Sequence, residues 1–161
     1  MSVSKPRVLF VGSGKLGIPS LAKIASSDGI VFLGAVTQND KPAGRKLHLS
    51  PTPVAVFAEK NCIPVKKVRS VNDPEFIGYA QSLCPDFIFL ASFGQILKEQ
   101  ILKVPRVEPL NLHGSLLPKF RGAAPVQAAI ISGESETGVS FMRMDEGLDT
   151  GPVFAKFATR I

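Results

Sequence analysis

The sequence predicts an α/β fold, in which helices cover both faces of a doubly wound, mainly parallel β-sheet. Short apolar runs rich in β-branched and aromatic residues alternate with helical segments through most of the 161 residues. Such alternation is typical of Rossmann-like, parallel-sheet domains. Hydrophobic residues make up 45% of the chain and charged residues 20%, so one globular domain with a real core is expected.

The elements of the first half are bounded by residues that start or stop regular structure. The first apolar run ends at Gly12, and the helix after it ends near Gly29. Thr52 and Pro53 form an N-cap and first turn for the second helix. The polar segment before them, 38–51, is predicted to be a loop. The predicted strands here are 7–11, 30–37 and 64–68, and the predicted helices are 16–26, 53–60 and 74–83.

The second half continues the alternation and then changes its pattern. The predicted strands are 86–92, 107–111, 138–144 and 152–159, and the predicted helices are 98–102 and 124–132. No helix separates the last two strands, so they are expected to run antiparallel to a neighbour. Ligands of doubly wound sheets bind outside the carboxyl ends of the strands. Asn111 lies at such an end.

Polar side chains with the chemistry of an acid/base site follow the strand 107–111. Asn111 and His113 are two residues apart in an extended chain, so both reach the same side while Leu112 points away into the core. Downstream, the glycine-flanked run 145–151 carries Asp149 and could fold back onto His113. An amide donor, an imidazole and a carboxylate are the parts of a general acid/base site.

A second motif supports a different class of function. The residues from Gly12 to Gly17 match Gly-x-Gly-x-x-Gly between a strand and a helix, which is the context of dinucleotide binding. An NAD(P) site would carry an acidic residue at the end of the second strand, where this chain has Thr37. The first acidic residue after that strand is Asp40, which lies in the following loop. A turn that contacts an anion, and a tight turn that simply needs glycine, are the other interpretations.

Charge and composition restrict partner and compartment. The net charge is +6, and residues 1–69 hold eleven Lys and Arg against three Asp and Glu. This excess permits a polyanionic partner such as RNA, or is simply a soluble basic surface. Cys62 and Cys84 show no disulfide or metal-ligand spacing. The chain has no apolar run of membrane-spanning length and no secretion signal at its N-terminus, so the cytoplasm is the expected compartment.

The motifs together resemble those of the folate-dependent formyltransferases. The resemblance rests on the run from Asn111 to Pro118, on Arg-Gly-Ala-Ala-Pro at 121–125 and on Leu-Asp-Thr-Gly at 148–151, and it extends from about Arg7 to the last residue. It is strongest to the branch that formylates initiator methionyl-tRNA. The branches that formylate glycinamide ribonucleotide or an amino sugar remain alternatives. The resemblance implies a formyltransferase fold and formyl transfer from 10-formyltetrahydrofolate to a free amino group.

The resemblance also implies roles for individual residues. Asn111 would stabilise the oxyanion, His113 would polarise the carbonyl or shuttle a proton, and Asp149 would orient His113 and accept a proton. The implied substrate-binding residues are Ser115, Leu116, Leu117, Pro118, Arg45 and Lys46. The implied folate-binding residues are Phe93, Ile96, Leu97 and Asp145. No metal is implied, and the Leu117–Pro118 bond is expected to be cis.

The partners and the domain organisation are further expectations. The implied partners are initiator methionyl-tRNA and the folate donor, with no membrane and a monomeric state. The family continues with a helix and a small C-terminal β-barrel, so residues 1–161 are expected to be a catalytic domain cut short at its C-terminal end. The compartment is expected to be the cytoplasm, or an organelle if the source is eukaryotic.

Overall fold

The computed structural model describes residues 4–43 and 48–161. The strands are β1 (Arg7–Gly12), β2 (Val31–Gln38), β3 (Lys41–Ala43), β4 (His48–Ser50), β5 (Val65–Val68), β6 (Phe87–Ala91), β7 (Glu108–His113), β8 (Glu136–Arg143) and β9 (Val153–Arg160). The helices are α1 (Ile18–Ala25), α2 (Pro53–Lys60), α3 (Pro74–Ser82), α4 (Glu99–Leu102) and α5 (Pro125–Ile131). A 3-10 turn at Lys15–Gly17 precedes α1.

Seven strands form one sheet in the order β5-β2-β1-β6-β7-β8-β9. The first five strands in this order are parallel, and β8 and β9 are antiparallel to their neighbours. The chain builds outward from β1 in one direction and then resumes at β6 on its other side. This confirms the predicted doubly wound, mainly parallel sheet with an antiparallel end.

Two apolar cores lie on opposite faces of the sheet. On one face, Leu9 and Val11 of β1 pack with residues of α3 and α4 such as Phe76 and Ile101. On the other face, Phe10 packs with Leu21 of α1 and Val54 of α2. The alternation along β1 follows from the two-residue period of a strand. Leu112 belongs to the second core, as expected from its position between Asn111 and His113.

Several elements differ from the sequence predictions by one or two residues at an end, and two differences matter for the site. The segment predicted as a polar loop contains an antiparallel ribbon of β3 and β4, in which Lys41 pairs with Ser50. The strand predicted to end at Asn111 continues to His113, because β8 pairs with it along this stretch. Met142 lies opposite Asn111, and Ser140 lies opposite His113. The extension matters for function, because it fixes the imidazole on regular structure.

Two local predictions are confirmed. Thr52 caps α2, and its hydroxyl accepts a hydrogen bond from the Ala55 amide at 3.1 Å. The Leu117–Pro118 peptide bond is cis. Within the two described ranges, no helix combines the length and the apolar character that a membrane crossing needs.

The Gly12–Gly17 turn is tied to the end of β6. The amides of Ser13 and Gly14 both donate to the Ser92 carbonyl, at 3.1 and 2.8 Å. A Cβ on Gly14 would collide with the Ser92 side chain, which explains the glycine. Thr37 is buried and hydrogen-bonds to the hydroxyls of Ser13 and Thr52. These contacts favour the tight-turn interpretation, because the two amides that a phosphate would use are already engaged.

Candidate active site

Asn111 and His113 lie side by side at the carboxyl end of β7. Both are almost fully buried, with 7% and 6% of their surface exposed. Parallel pairing to β6 and antiparallel pairing to β8 hold this strand end on both sides. The two polar side chains are therefore positioned by a rigid sheet, which is the best support for a reactive site.

Asp149 approaches this strand end from the loop between β8 and β9. Its Oδ1 accepts a hydrogen bond from the Asn111 side-chain amide at 3.3 Å. Its Oδ2 lies 3.4 Å from His113 Nδ1 and accepts a hydrogen bond from the Gly122 amide at 2.9 Å. Asp149 has a left-handed backbone, with φ of 53°. The structure thus brings together the three side chains that the sequence nominated as catalytic.

The contacts of the two ring nitrogens of His113 indicate which of them carries a hydrogen. Nε2 lies 2.9 Å from the carbonyl oxygen of Phe120, and a carbonyl oxygen only accepts, so Nε2 carries a hydrogen. Nδ1 faces the carboxylate of Asp149. This contact places Nδ1 where it can exchange a proton with the carboxylate.

An apolar cleft opens beside these residues. Asn111 and Asp149 contribute to its lining, and the rest comes from the end of β6 and the segment after it, and from the end of β8 and its following loop. The lining residues are Leu90, Gln95, Ile96, Leu97, Asn111, Met142, Met144, Asp145, Gly147, Leu148 and Asp149. A flat ring with polar edges fits a slot of this composition.

Three of the four residues expected to bind folate line this cleft, namely Ile96, Leu97 and Asp145. Phe93 does not. Its side chain is 2% exposed and belongs to the core under α3 and α4. The sequence could not separate the two cases, because Phe93 and Leu97 are both apolar residues in the same irregular segment.

The turn after β7 is held from inside the protein. Ser115 is fully buried and its hydroxyl donates to the Lys119 carbonyl at 2.6 Å. Leu117 is 3% exposed, whereas Leu116 is half-buried and Pro118 is exposed. Ser115 and Leu117 therefore support the turn from inside the protein and offer almost no surface to a substrate. Arg45 and Lys46, the other expected substrate contacts, lie outside the described residues.

Three of the contributors that sequence reasoning missed are polar groups. The Phe120 carbonyl and the Gly122 amide are backbone groups, and a pattern of residue types does not predict their contacts. Gln95 lines the cleft, and its side chain bridges the Val71 amide and the Arg69 carbonyl at 3.3 and 2.8 Å. A polar residue between Gly94 and Ile96 was the only available signal for Gln95.

Comparison with known proteins agrees with this geometry. A family model described as formyl transferase matches residues 7–161. The chain belongs to the formyl transferase family. The matched range contains every described residue of the site.

Curated relatives and solved structures extend the comparison. Methionyl-tRNA formyltransferase of Clostridioides difficile is 47% identical over 150 residues, which cover 93% of this chain and 48% of the relative. The enzyme of that name from Thermus thermophilus is 42% identical over 155 residues, covering 96% and 50%. The chain therefore spans about half the length of the curated relatives it matches.

Among solved structures, phosphoribosylglycinamide formyltransferase from Bacillus halodurans superimposes with a TM-score of 0.75 and 28% identity. The superposition covers 96% of this chain and 80% of that protein. A sugar N-formyltransferase from a Shewanella species has a TM-score of 0.65 at 19% identity, which shows a shared fold. The formyltransferase fold expected from the sequence is confirmed.

Proposed function

We propose that this chain is the catalytic domain of an enzyme that transfers a formyl group from 10-formyltetrahydrofolate to the amino group of initiator methionyl-tRNA. The observation that carries the proposal is the hydrogen-bonded set of Asn111, His113 and Asp149 at the carboxyl end of β7. An amide, an imidazole and a carboxylate together suit acyl-type transfer to an amine, and the match to the formyl transferase family supports this interpretation.

The apolar cleft fits the folate donor. Ile96, Leu97 and Met144 contribute apolar surface to its lining, which suits the flat pterin ring. Asp145 has one carboxylate oxygen bonded to the Gly147 amide and the Thr150 hydroxyl, at 3.0 and 2.7 Å. It lies at the rim, where it supports the loop and offers its second oxygen to ring N–H groups. The bound donor supplies the activated formyl group.

Asn111 suits oxyanion stabilisation. Among the described residues, its side-chain amide donates one hydrogen bond, to Asp149 Oδ1, and it has two N–H groups. The second N–H is left for the formyl oxygen, which gains negative charge when the amine nitrogen attacks the formyl carbon. Because Asn111 is 7% exposed, this interaction is little weakened by water.

His113 and Asp149 handle the protons. As the new carbon–nitrogen bond forms, the attacking amine loses a proton, which Asp149 accepts. The 3.4 Å contact between Oδ2 and Nδ1 lets Asp149 pass this proton to His113. As the bond between the formyl carbon and the folate nitrogen breaks, that nitrogen takes the proton from Nδ1, because Nε2 is engaged by the Phe120 carbonyl, and the pair ends as it began.

Methionyl-tRNA is favoured as the acceptor over a small amine. Eight curated relatives named methionyl-tRNA formyltransferase are 41–47% identical to the chain. The phosphoribosylglycinamide formyltransferase from Bacillus halodurans is 28% identical. The basic excess of residues 1–69 and the Arg45 loop support a polyanionic acceptor. Glycinamide ribonucleotide or an amino sugar remains the alternative class.

The test is a transfer assay with three acceptors. The protein is mixed with formyl-labelled 10-formyltetrahydrofolate and offered methionyl-tRNA, glycinamide ribonucleotide or an amino sugar in turn. We expect label on methionyl-tRNA. Label on a small amine alone would replace the acceptor in the proposal. If no acceptor is labelled and the protein binds NAD, the formyl-transfer proposal fails.

A further inference from the structure

The loop formed by residues 119–122 contacts both partners of the proton-transfer pair through its backbone. The Phe120 carbonyl lies 2.9 Å from His113 Nε2, and the Gly122 amide donates to Asp149 Oδ2 at 2.9 Å. The two backbone groups are two residues apart, and one holds the imidazole while the other holds the carboxylate. We propose that the 119–122 loop is a positioning element for this pair and that Gly122 is essential to it. The inference rests on the proposed function of His113 and Asp149.

The hydrogen bonds of the loop fix the orientation of both side chains. The carbonyl of Phe120 only accepts, so it selects the form of His113 that carries a hydrogen on Nε2. The amide of Gly122 only donates, so it binds an accepting oxygen of Asp149, Oδ2, and fixes the direction in which that oxygen points. The loop thereby engages Nε2 of His113 and leaves Nδ1 facing the carboxylate of Asp149.

The backbone conformation of the loop allows this. Phe120 and Gly122 have φ angles of 55° and 101°. Left-handed conformations of this kind turn successive peptide groups toward one side, and at 101° they favour glycine strongly. A Cβ on Gly122 would meet only the Leu148 side chain, at 3.8 Å, an ordinary contact. Glycine is therefore required by backbone conformation and not by lack of space.

The base of the loop is anchored away from the site. The Lys119 amide donates to the Leu116 carbonyl at 3.2 Å, and the Lys119 carbonyl accepts from the Ser115 hydroxyl at 2.6 Å. The Lys119 ammonium bonds both oxygens of Glu134, at 2.8 and 3.0 Å. With its base held in this way, the loop transmits a change at Gly122 to Asp149.

The chain provides a matched control for the substitution Gly122→Ala. Gly133 follows α5 with φ of 70°, and a Cβ there would meet nothing within 4 Å. Gly133→Ala introduces the same kind of backbone strain without touching either catalytic partner. Gly122→Asn is a second variant, because asparagine tolerates left-handed backbone better than alanine does.

The first experiment measures kcat and the donor KM for formyl transfer to methionyl-tRNA. A positioned acid/base group contributes about 10²–10⁴-fold, so displacing it through Gly122→Ala should lower kcat about tenfold or more. The donor KM of Gly122→Ala should stay unchanged. Gly122→Asn should lose less of the original kcat than Gly122→Ala does, and Gly133→Ala should keep the original kcat. In an Asp149→Asn background Gly122→Ala should cause no further loss, because both changes act through one contact. A full additional loss there, or an unchanged kcat in Gly122→Ala, overturns the inference.

The second experiment does not depend on activity. His48 and His113 are the only histidines, so their imidazole nitrogen signals can be assigned by nuclear magnetic resonance of the labelled protein. We expect Gly122→Ala to shift the His113 signals and leave His48, and Gly133→Ala to leave both. Unmoved His113 signals in Gly122→Ala refute the positioning role even if the protein transfers no formyl group. Absence of transfer by the original protein refutes only the proposed function.

Discussion

Replacing Asp149 by asparagine tests the core of the proposed mechanism. The change keeps the size of the side chain but removes its negative charge and its ability to accept a proton. Asp149 accepts from Asn111 and Gly122 and faces His113 Nδ1 at 3.4 Å. An asparagine there can present only one oxygen, so at least one of these three partners must face an N–H group instead.

The expected magnitude follows from those contacts. A positioned acid/base group contributes about 10²–10⁴-fold, which at ~1.36 kcal/mol for each factor of ten is about 3–5 kcal/mol of activation free energy. We therefore expect kcat to fall by at least about 10²-fold. Donor affinity should change little, because the apolar wall of the cleft is intact.

The assay is single-turnover formyl transfer from labelled 10-formyltetrahydrofolate, with donor affinity measured separately. Glu146→Gln is the matched control, since it removes one negative charge from an exposed position in the same loop. The control should transfer formyl at the original rate. A rate near the original in Asp149→Asn, or an equal loss in Glu146→Gln, would refute the assignment of Asp149 as the proton acceptor.

Three further predictions concern the acceptor, the buried turn and the pH dependence of stability. Arg45→Ala should weaken methionyl-tRNA use and spare donor binding, and the log–log salt slope should fall by roughly one unit if Arg45 contacts a phosphate; equal losses for donor and acceptor would make the residue structural. Ser140→Ala should lower the free energy of unfolding by about 1–3 kcal/mol, because the buried hydroxyl accepts from one backbone amide and donates to one backbone carbonyl; an unchanged urea midpoint would contradict this. Hydrogen bonds from the Arg7 amide and then the Arg106 side chain lower the pKa of Asp86 below 3.8. The Asp86→Asn variant should therefore unfold at a lower urea concentration than the original protein at neutral pH. The gap between their urea midpoints should narrow as the pH falls below 3.8 through the folded pKa of Asp86; a gap that does not change with pH would contradict the ionic origin.

Much of the fold was predictable because it depends on local pattern. Apolar runs alternating with helical segments define a parallel sheet, and the capping signal of Thr52 and Pro53 placed α2 correctly. The segment 38–51 was mispredicted as a plain loop. Its ribbon is built from strands of three residues each, which are too short to show a two-residue period in the sequence.

The sequence by itself determined which side chains of β7 share a side. Residues two apart in a strand project together, so the spacing alone pairs Asn111 with His113 and assigns Leu112 to the core. The resemblance in the motifs also nominated Asp149. These inferences depend on spacing along one strand and on residue type, which a sequence records directly.

Only the tertiary structure decided what surrounds that trio. It brought Asp149 across 38 positions of sequence to Asn111, placed the Phe120 carbonyl and the Gly122 amide against the proton-transfer pair, and put Phe93 in the core. Backbone carbonyls and amides are the same in every residue, so no pattern of side chains marks the ones that face a site. Their direction depends on φ angles and on loop packing, which are settled only when distant segments meet.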